Sequence, residues 1–408
     1  MNNLSLRLVI FFFEIVKYFI ECIFMKYLIE ASAALIGEEL EIRRNISIYI
    51  EDGEIKSIGL SGFSTDSSTK KISLKRGVIM PSLVNAHIHS ADIGFEEFGW
   101  DLDIDSVVGE PYGLKYHLLN IYEEQVKNFI KRSLELSLKS GVLVVNDFRE
   151  NGLRGLRQGL EAAEDIKWGI EYIPSYMPIV RGDDYLDLEE IYEASKYTKW
   201  IGISSPHYYT PENLKKIDSI AEMRNLWIIS HVAETRDVRE ERDFELIKDL
   251  RRLKAVVHGI YLSSEDLYLL KERGIALILC PRSNMWFGSG IVDLRKIFSA
   301  EITLGLGTDN SGWIKPDIWR EIEFLIDLLR IQGLALDPRE ILKIATVDSA
   351  RIFGIRNVIE EGGKARFIGL QSEWINTERT GNIYLSIAKR GGPESLRLLV
   401  NDRYVRII

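Results

Sequence analysis

Apolar and polar positions change rhythm twice along this chain. From Tyr27 to about Met80 the apolar runs are short and recur at every second residue, as in Ile46-Ser47-Ile48-Tyr49-Ile50. A period of two puts alternate side chains on one face of a strand. Asp52-Gly53 breaks the run with a strong tight-turn signal before Ile55 resumes, so Leu40 to Ser57 is expected to form a hairpin. From about Val84 the rhythm is different. Strand-like apolar runs near Val84–His89, Val142–Phe148, Gly169–Ser175, Trp200–Ser205, Trp227–His231, Ala255–His258, Ala276–Cys280 and Thr303–Gly307 alternate with amphipathic helical stretches such as Glu123 to Lys139, Pro211 to Arg224, Ser264 to Arg273 and Pro316 to Leu329. Asp337 is placed to cap a further helix that runs to about Phe353. Past that point short runs return at Ala365 to Leu370, Ile383 to Ala388 and Leu396 to Ile408, all expected as strands. Eight β–α alternations imply a parallel barrel. The expected architecture is therefore α/β: a (β/α)8 TIM-like barrel over residues 80–356, with a small composite β-sandwich domain built from residues 25–79 plus 357–408.

The first 24 residues fit neither rhythm. Leu8 to Phe24 is strongly apolar, but Glu14, Lys17 and Glu21 interrupt it. Charges at that spacing are costly inside a bilayer, so no stable membrane insertion is expected. The preferred reading makes Met25 the native start and this stretch an upstream extension; a membrane-surface helix is the next alternative.

Composition narrows the class further. The 408 residues are 46% hydrophobic and 28% charged, with a net charge of -9, as for a protein with a sizeable core. Lys and Arg are scattered, which argues against a nucleic-acid partner. The two cysteines, Cys22 and Cys280, cannot build a disulfide framework; a reducing, cytoplasmic setting is expected, with Cys280 in the core.

In a parallel barrel chemistry sits at the C-terminal ends of the strands. Five of the six histidines fall at such ends: His87 and His89, His207, His231 and His258; His117 lies in a loop. Glu234 follows His231 by three residues, and Asp309 closes the last strand. Imidazole and carboxylate suit a single divalent ion, Zn²⁺ first and Fe²⁺ as the alternative, and an ion of this kind lowers the pKa of bound water to near neutrality. Glu234 is placed to take that proton and pass it to a leaving nitrogen. A satisfied core histidine is the competing reading for any one of these residues, and a weaker one for the set.

This constellation resembles the amidohydrolase superfamily, and within it the mononuclear aminohydrolase branch of cytosine, guanine and adenosylhomocysteine/methylthioadenosine deaminases and triazine hydrolases. The matching pieces are Pro81 to His89, His231-Val-Ala-Glu234, Val257-His258-Gly259, Cys280 to Met285 and Leu306-Gly307-Thr308-Asp309. The resemblance implies His87, His89, His231 and Asp309 as metal ligands, with Asp309 also holding the nucleophile. It implies Glu234 as proton shuttle and His258 as the group that polarises the attacked centre. The fourth strand, Gly202 to His207, lacks the bridging Lys or Glu of binuclear members, so one metal is expected.

The implied reaction is hydrolytic deamination of a small nitrogen heterocycle by metal-bound hydroxide. A cyclic-amide or amidine hydrolase resembling imidazolonepropionase is the alternative, and a non-catalytic binding relative is a third reading. The loop from Gly94 to His117 departs from the adenosine-type pattern. His207 is a candidate substrate contact or a structural residue. Arg149 is a candidate for a substrate anion or for a salt bridge. Trp100, with Trp286 and Trp313, is a candidate wall for an aromatic substrate or a packing residue. A homo-oligomer is expected.

Overall fold

The protein is described by a computed structural model, which covers residues 26–60, 66–166, 169–181, 185–371, 373–375, 377 and 379–408. The apolar extension ahead of Met25 lies outside the described residues. The chain divides into two compact units: one ends at Ser82 and resumes at Asn357, the other is Leu83–Arg356.

The first unit opens with β1 (Lys26–Ile36), β2 (Glu41–Glu51), β3 (Glu54–Leu60) and β4 (Lys70–Pro81). β2 and β3 form the expected hairpin. Asp52 and Gly53 both take left-handed φ, 53° and 75°, which is the geometry that matches a two-residue turn to strand twist. Ile46, Ile48 and Ile50 are buried, as the period of two requires.

The barrel strands are β5 (Leu83–His89), β6 (Val142–Arg149) and β7 (Glu171–Tyr176), then, past the ribbon of β8 (Val180–Arg181) and β9 (Tyr185–Leu186), β10 (Trp200–Ile203), β11 (Trp227–Val232), β12 (Leu253–His258), β13 (Ala276–Leu279), β14 (Leu304–Leu306) and β15 (Asp309–Asn310). They pair in parallel in the order β14-β13-β12-β11-β10-β7-β6-β5-β15. β14 and β15 are two halves of the eighth strand. The first half pairs with β13 and the second with β5, which closes the (β/α)8 barrel. The break falls at Gly307-Thr308. Asn85 bridges it by donating from Nδ2 to Thr308 Oγ1 (2.8 Å) and accepting from the Thr308 N–H (3.1 Å). A Cβ on Gly307 would stand 2.7 Å from the His87 carbonyl oxygen, so only glycine lets the two strands meet here.

Small and branched side chains fill the barrel, among them Val84, Ala86, Val144, Ile229, Val257 and Ile278, and Cys280 is buried among them as expected. Helix starts follow their caps. Thr210 caps Pro211–Arg224, and Ser263 with Asp266 forms a capping box for Ser264–Arg273. Asp337 caps the helix opened by Pro338. That helix passes through a π-turn at Ile344–Asp348, where Ser349 Oγ donates to the Ile344 carbonyl and accepts from the Leu306 N–H.

After the barrel the first unit resumes with β16 (Phe367–Leu370), β17 (Leu396–Val400) and β18 (Val405–Ile407). Its seven strands form one sheet in the order β18-β17-β16-β4-β1-β2-β3. One expectation fails here: Ile383–Arg390 is an α-helix, not a strand. Asn382 accepts the Leu385 N–H at the start of the helix, and Ile383, Ser386 and Ile387 share its buried face. A short apolar run carries no period of its own, and the cap decided between helix and strand.

Candidate active site

Three residues at the strand ends have left-handed backbone: Ala233 (φ 48°) just after β11, His258 (φ 70°) at the end of β12, and Asp309 (φ 61°) at the start of β15. Non-glycine residues adopt this region rarely, at a cost of roughly 1–3 kcal/mol each. Each is pinned by a neighbour. The Ala233 N–H donates to the buried Asp243 carboxylate. Nδ1 of His258 is 2.8 Å from Asn284 Oδ1. Asp309 Oδ2 accepts from Ser283 Oγ (2.6 Å) and Asn310 Nδ2 (3.2 Å).

The sharp turns bring side chains from five strands to one place. Nε2 of His87 lies 3.1 Å from Nε2 of His231 and 3.2 Å from Asp309 Oδ1; Nε2 of His89 lies 3.5 Å from the same oxygen. His231 donates Nδ1–H to the Ser204 carbonyl (2.6 Å), and His89 donates Nδ1–H to the Glu150 carboxylate. Both therefore turn Nε2 lone pairs toward the Asp309 carboxylate. Burial pushes His87 down to about 4 and His231 well below its ordinary value, so both are neutral. Burial alone would raise Asp309, but the His87 hydrogen bond and the nearby imidazoles outweigh it and keep the carboxylate ionised. Neutral imidazole lone pairs around an ionised carboxylate fit a divalent cation, and the outer hydrogen bonds set the tautomers that ligation needs. Ligand atoms of His87, His231, His258 and Asp309 lie within 4.8 Å of one another, so His258 is as near the centre as the three ligands expected beside it.

Glu234 faces this group from β11, with Oε2 3.5 Å from His258 Nε2. Burial raises its pKa, and the nearby His258 only partly opposes that, so it holds a proton more readily than an exposed glutamate. These residues line one cavity that opens to solvent. Asp105, Lys115 and His207 stand on its wall. His207 has its Nδ1 2.7 Å from Ser205 Oγ.

Two expected substrate contacts are elsewhere. Arg149 is fully buried behind the site, where it donates to Ser90 Oγ (3.2 Å), Asp147 Oδ1 (3.0 Å) and Glu150 Oε2 (2.9 Å). Its neighbouring acids claim the guanidinium, and the salt-bridge alternative holds. Trp100 is 71% exposed and off the cavity wall. Trp286 and Trp313 do not line the cavity either.

Sequence reasoning missed the residues that hold the histidines. No periodic or spacing signal tied Glu150 or Lys115 to the histidines, and Asn284 stood in the Cys280 to Met285 match without an assigned role. Glu110, whose carboxylate accepts from Ser204 Oγ, and Asp243, which holds Ala233, are likewise single acids in loops or short helices. Asn146-Asp147-Phe148-Arg149-Glu150, dense in charge at a strand end, was the one visible hint. Phe148 is part of it: its ring stacks on His231 at 5.0 Å and meets His87 edge-on at 4.6 Å.

Imidazoles and carboxylates converging on the C-terminal end of a closed (β/α)8 barrel define a barrel hydrolase. Comparison with known proteins places it more narrowly. Residues 78–389 match the amidohydrolase family, and the chain belongs to that family. It is 30% identical over 358 residues to an uncharacterized protein of Methanocaldococcus jannaschii, covering 84% of this chain and 89% of the other. It is 26% identical over 400 residues to a 5-methylthioadenosine/S-adenosylhomocysteine deaminase of Halothermothrix orenii, covering 89% and 90%. A zinc-bound adenosine deaminase of Xanthomonas campestris shares the fold, with a TM-score of 0.79 at 17% identity over 94% of this chain and 93% of that one. Among the described residues no helix is long and apolar enough to cross a membrane.

Proposed function

We propose that this enzyme deaminates a small nitrogen heterocycle hydrolytically, with His87, His89, His231 and Asp309 holding one divalent ion. The observation that carries the reading is Glu234, inside the cavity and 3.5 Å from His258, beside a group of neutral imidazoles and an ionised carboxylate. A divalent ion bound there supplies the Lewis acidity that makes water nucleophilic at neutral pH. Zinc is the favoured ion, on the imidazole and carboxylate donor set and on the zinc-bound Xanthomonas campestris relative in fold.

The chain's own residues do the rest. Glu234, its pKa raised, takes one proton of the attacking water and delivers it to a ring nitrogen, then takes the second from the new hydroxyl and delivers it to the departing amine. His258, its ring held at Nδ1 by the Asn284 oxygen, turns Nε2 to the attacked centre, where its protonated form would donate to the developing oxyanion. Asp309, oriented by Ser283, accepts a hydrogen bond from the nucleophile and fixes its line of attack. His207 meets the substrate across the cavity. Ammonia leaves, and a carbonyl replaces the amino group. The same reading makes the enzyme a cytoplasmic homo-oligomer, consistent with two cysteines and no disulfide framework.

The test is ammonia release from a panel of purines, pyrimidines, pterins and triazines by the metal-loaded enzyme. Turnover of one panel member, abolished in Glu234→Gln, is expected. Ring opening of a lactam with no ammonia would replace the deaminase reading by the cyclic-amide alternative.

A further inference from the structure

Beside the metal-facing imidazoles lies a buried charged cluster that the reaction leaves unused. Lys115, only 2% exposed, comes from the loop and helix that follow β5, twenty-six residues beyond His89. Its Nζ is 2.6 Å from Glu150 Oε1, 3.1 Å from Asp92 Oδ2 and 3.0 Å from His89 Nδ1. Ligand atoms of His89, Asp92 and Glu150 lie close enough together to hold a cation, and the ammonium already fills that place.

An ammonium has three N–H donors and no acceptor. Glu150 and Asp92 pair with its charge, but neither Asp92 oxygen has a hydrogen-bond partner among the described residues. His89 Nδ1 cannot accept from it while that nitrogen's own N–H donates to Glu150 and Nε2 would hold the ion. An N–H is thus left without an acceptor, on a residue that lines the cavity.

Charge decides what this donor can read. Around Lys115 and Arg149 stand three buried carboxylates, Asp92, Asp147 and Glu150, so the cluster is not cationic overall. Asp105 and Glu234 offset the charge that a divalent ion held by Asp309 would bring to the rest of the cavity wall. Such a site gives an anion no net attraction. What Lys115 offers is direction: a single N–H held by two carboxylates in a place that water reaches poorly.

We propose that Lys115 is the specificity-determining contact of the site, donating one hydrogen bond to a lone pair of a neutral heterocycle, either a ring nitrogen or a ring carbonyl oxygen. The proposal rests on the deaminase reading above. A site built to donate rejects an analogue that lacks the acceptor, because the buried donor is then left unpaired.

The probe is the panel heterocycle that wild type deaminates, together with analogues in which each ring nitrogen is replaced in turn by CH and each ring carbonyl by CH₂. Binding is measured by calorimetry in a metal-loaded Glu234→Gln background, so that nothing is consumed. One analogue is expected to bind at least tenfold more weakly than the parent, and Lys115→Met is expected to erase that difference while retaining one metal ion per chain. Because Lys115→Met strands two buried carboxylates, the paired variant Lys115→Met/Asp92→Asn is measured alongside it. Equal binding of all analogues to the Lys115-containing protein overturns the proposal without recourse to any variant. So does a tenfold discrimination that persists in a folded Lys115→Met protein. Failure of the underlying reading looks different: wild type then releases ammonia from no member of the panel.

Discussion

Asp243→Asn separates the stability of this enzyme from its activity. Asp243 is fully buried and accepts from the Ala233 N–H and from its own neighbour Phe244 (2.8 Å). Burial pushes its carboxyl up to about 6 from an ordinary 3.8. At pH 7 the protonated form, which asparagine imitates, therefore lies only about 1.4 kcal/mol above the ionised one. In the unfolded chain, with its carboxyl near 3.8, the same gap is about 4.4 kcal/mol, so the substitution should not lower stability at pH 7 and should raise it by up to about 3 kcal/mol. Activity depends on something else. The ionised carboxylate holds Ala233 in its left-handed conformation, and Glu234 is the next residue. Released, Ala233 relaxes toward ordinary φ and Glu234 moves away from His258; a misplacement of about 1 Å costs about 10²-fold in rate. Steady-state ammonia release, metal content and urea unfolding measure the three quantities. A kcat about 100-fold lower is expected, with KM and metal content near wild type. The sign of the pH effect follows from the raised pKa. Between about 4 and 6 the folded carboxyl keeps its proton while the unfolded one loses it, so the stability contributed below pH 4 is lost as pH rises through 6. Wild type minus Asp243→Asn stability should thus fall by about 3 kcal/mol across that window and stay flat above it. A variant with wild-type kcat per folded molecule would refute the positioning role, and a flat difference across pH 4–6 would refute the buried, proton-holding carboxyl.

Three further outcomes are expected. Gly307→Ala, whose new Cβ would meet His87 backbone atoms at 2.7–2.9 Å, should lose about 1–3 kcal/mol in thermal unfolding and bind metal less tightly; an unchanged melting temperature would show that the seam has room. Glu150→Gln replaces the carboxylate that accepts the His89 Nδ1–H by a neutral, weaker acceptor and should weaken metal affinity roughly 10- to 100-fold in competition with a chelator, whereas full affinity would mean that His89 is oriented without the charge. Chelation of the metal-loaded enzyme should lower its melting temperature, and added Zn²⁺ should restore it; a melt indifferent to chelator would place the ion outside the folded core.

The barrel was readable because its signal is periodic and repeated. Eight apolar runs separated by amphipathic stretches admit few topologies, and capping residues such as Thr210, Ser263 and Asp337 fix where helices begin. Ile383–Arg390 was not readable, because eight residues without a clear period fit either element and a single Asn382 cap settled it. The split of the eighth strand was hidden for a related reason. Nothing in Leu306-Gly307-Thr308-Asp309 announces that its two halves pair with different neighbours. That follows only from closure of the barrel and from Asn85, more than two hundred residues earlier, whose side chain supplies the hydrogen bonds missing at the seam.

The inner residues of the site were legible for the same reason as the barrel: they sit at the ends of periodic elements, where the fold itself says to look. The residues that support them were not. Arg149 and Trp100 illustrate the limit, because strand-end or aromatic character alone does not say which way a side chain will face. Arg149 had acidic neighbours within two residues on its own strand, and in a buried setting those claim a guanidinium before any substrate can. Lys115 is the reverse case. It lies in a short helix, Leu114–Ile121, at the end of the long loop after β5, well apart along the chain from its partners, and by sequence it offers only a basic side chain that could meet a substrate anion. Only when the loop folds over β5 do Asp92, Glu150 and His89 surround it and make it costly to bury unless its charge is matched and its hydrogen bonds are made. The carboxylates match the charge, and one N–H remains to be satisfied. That requirement ties the most irregular stretch of the chain to the choice of substrate.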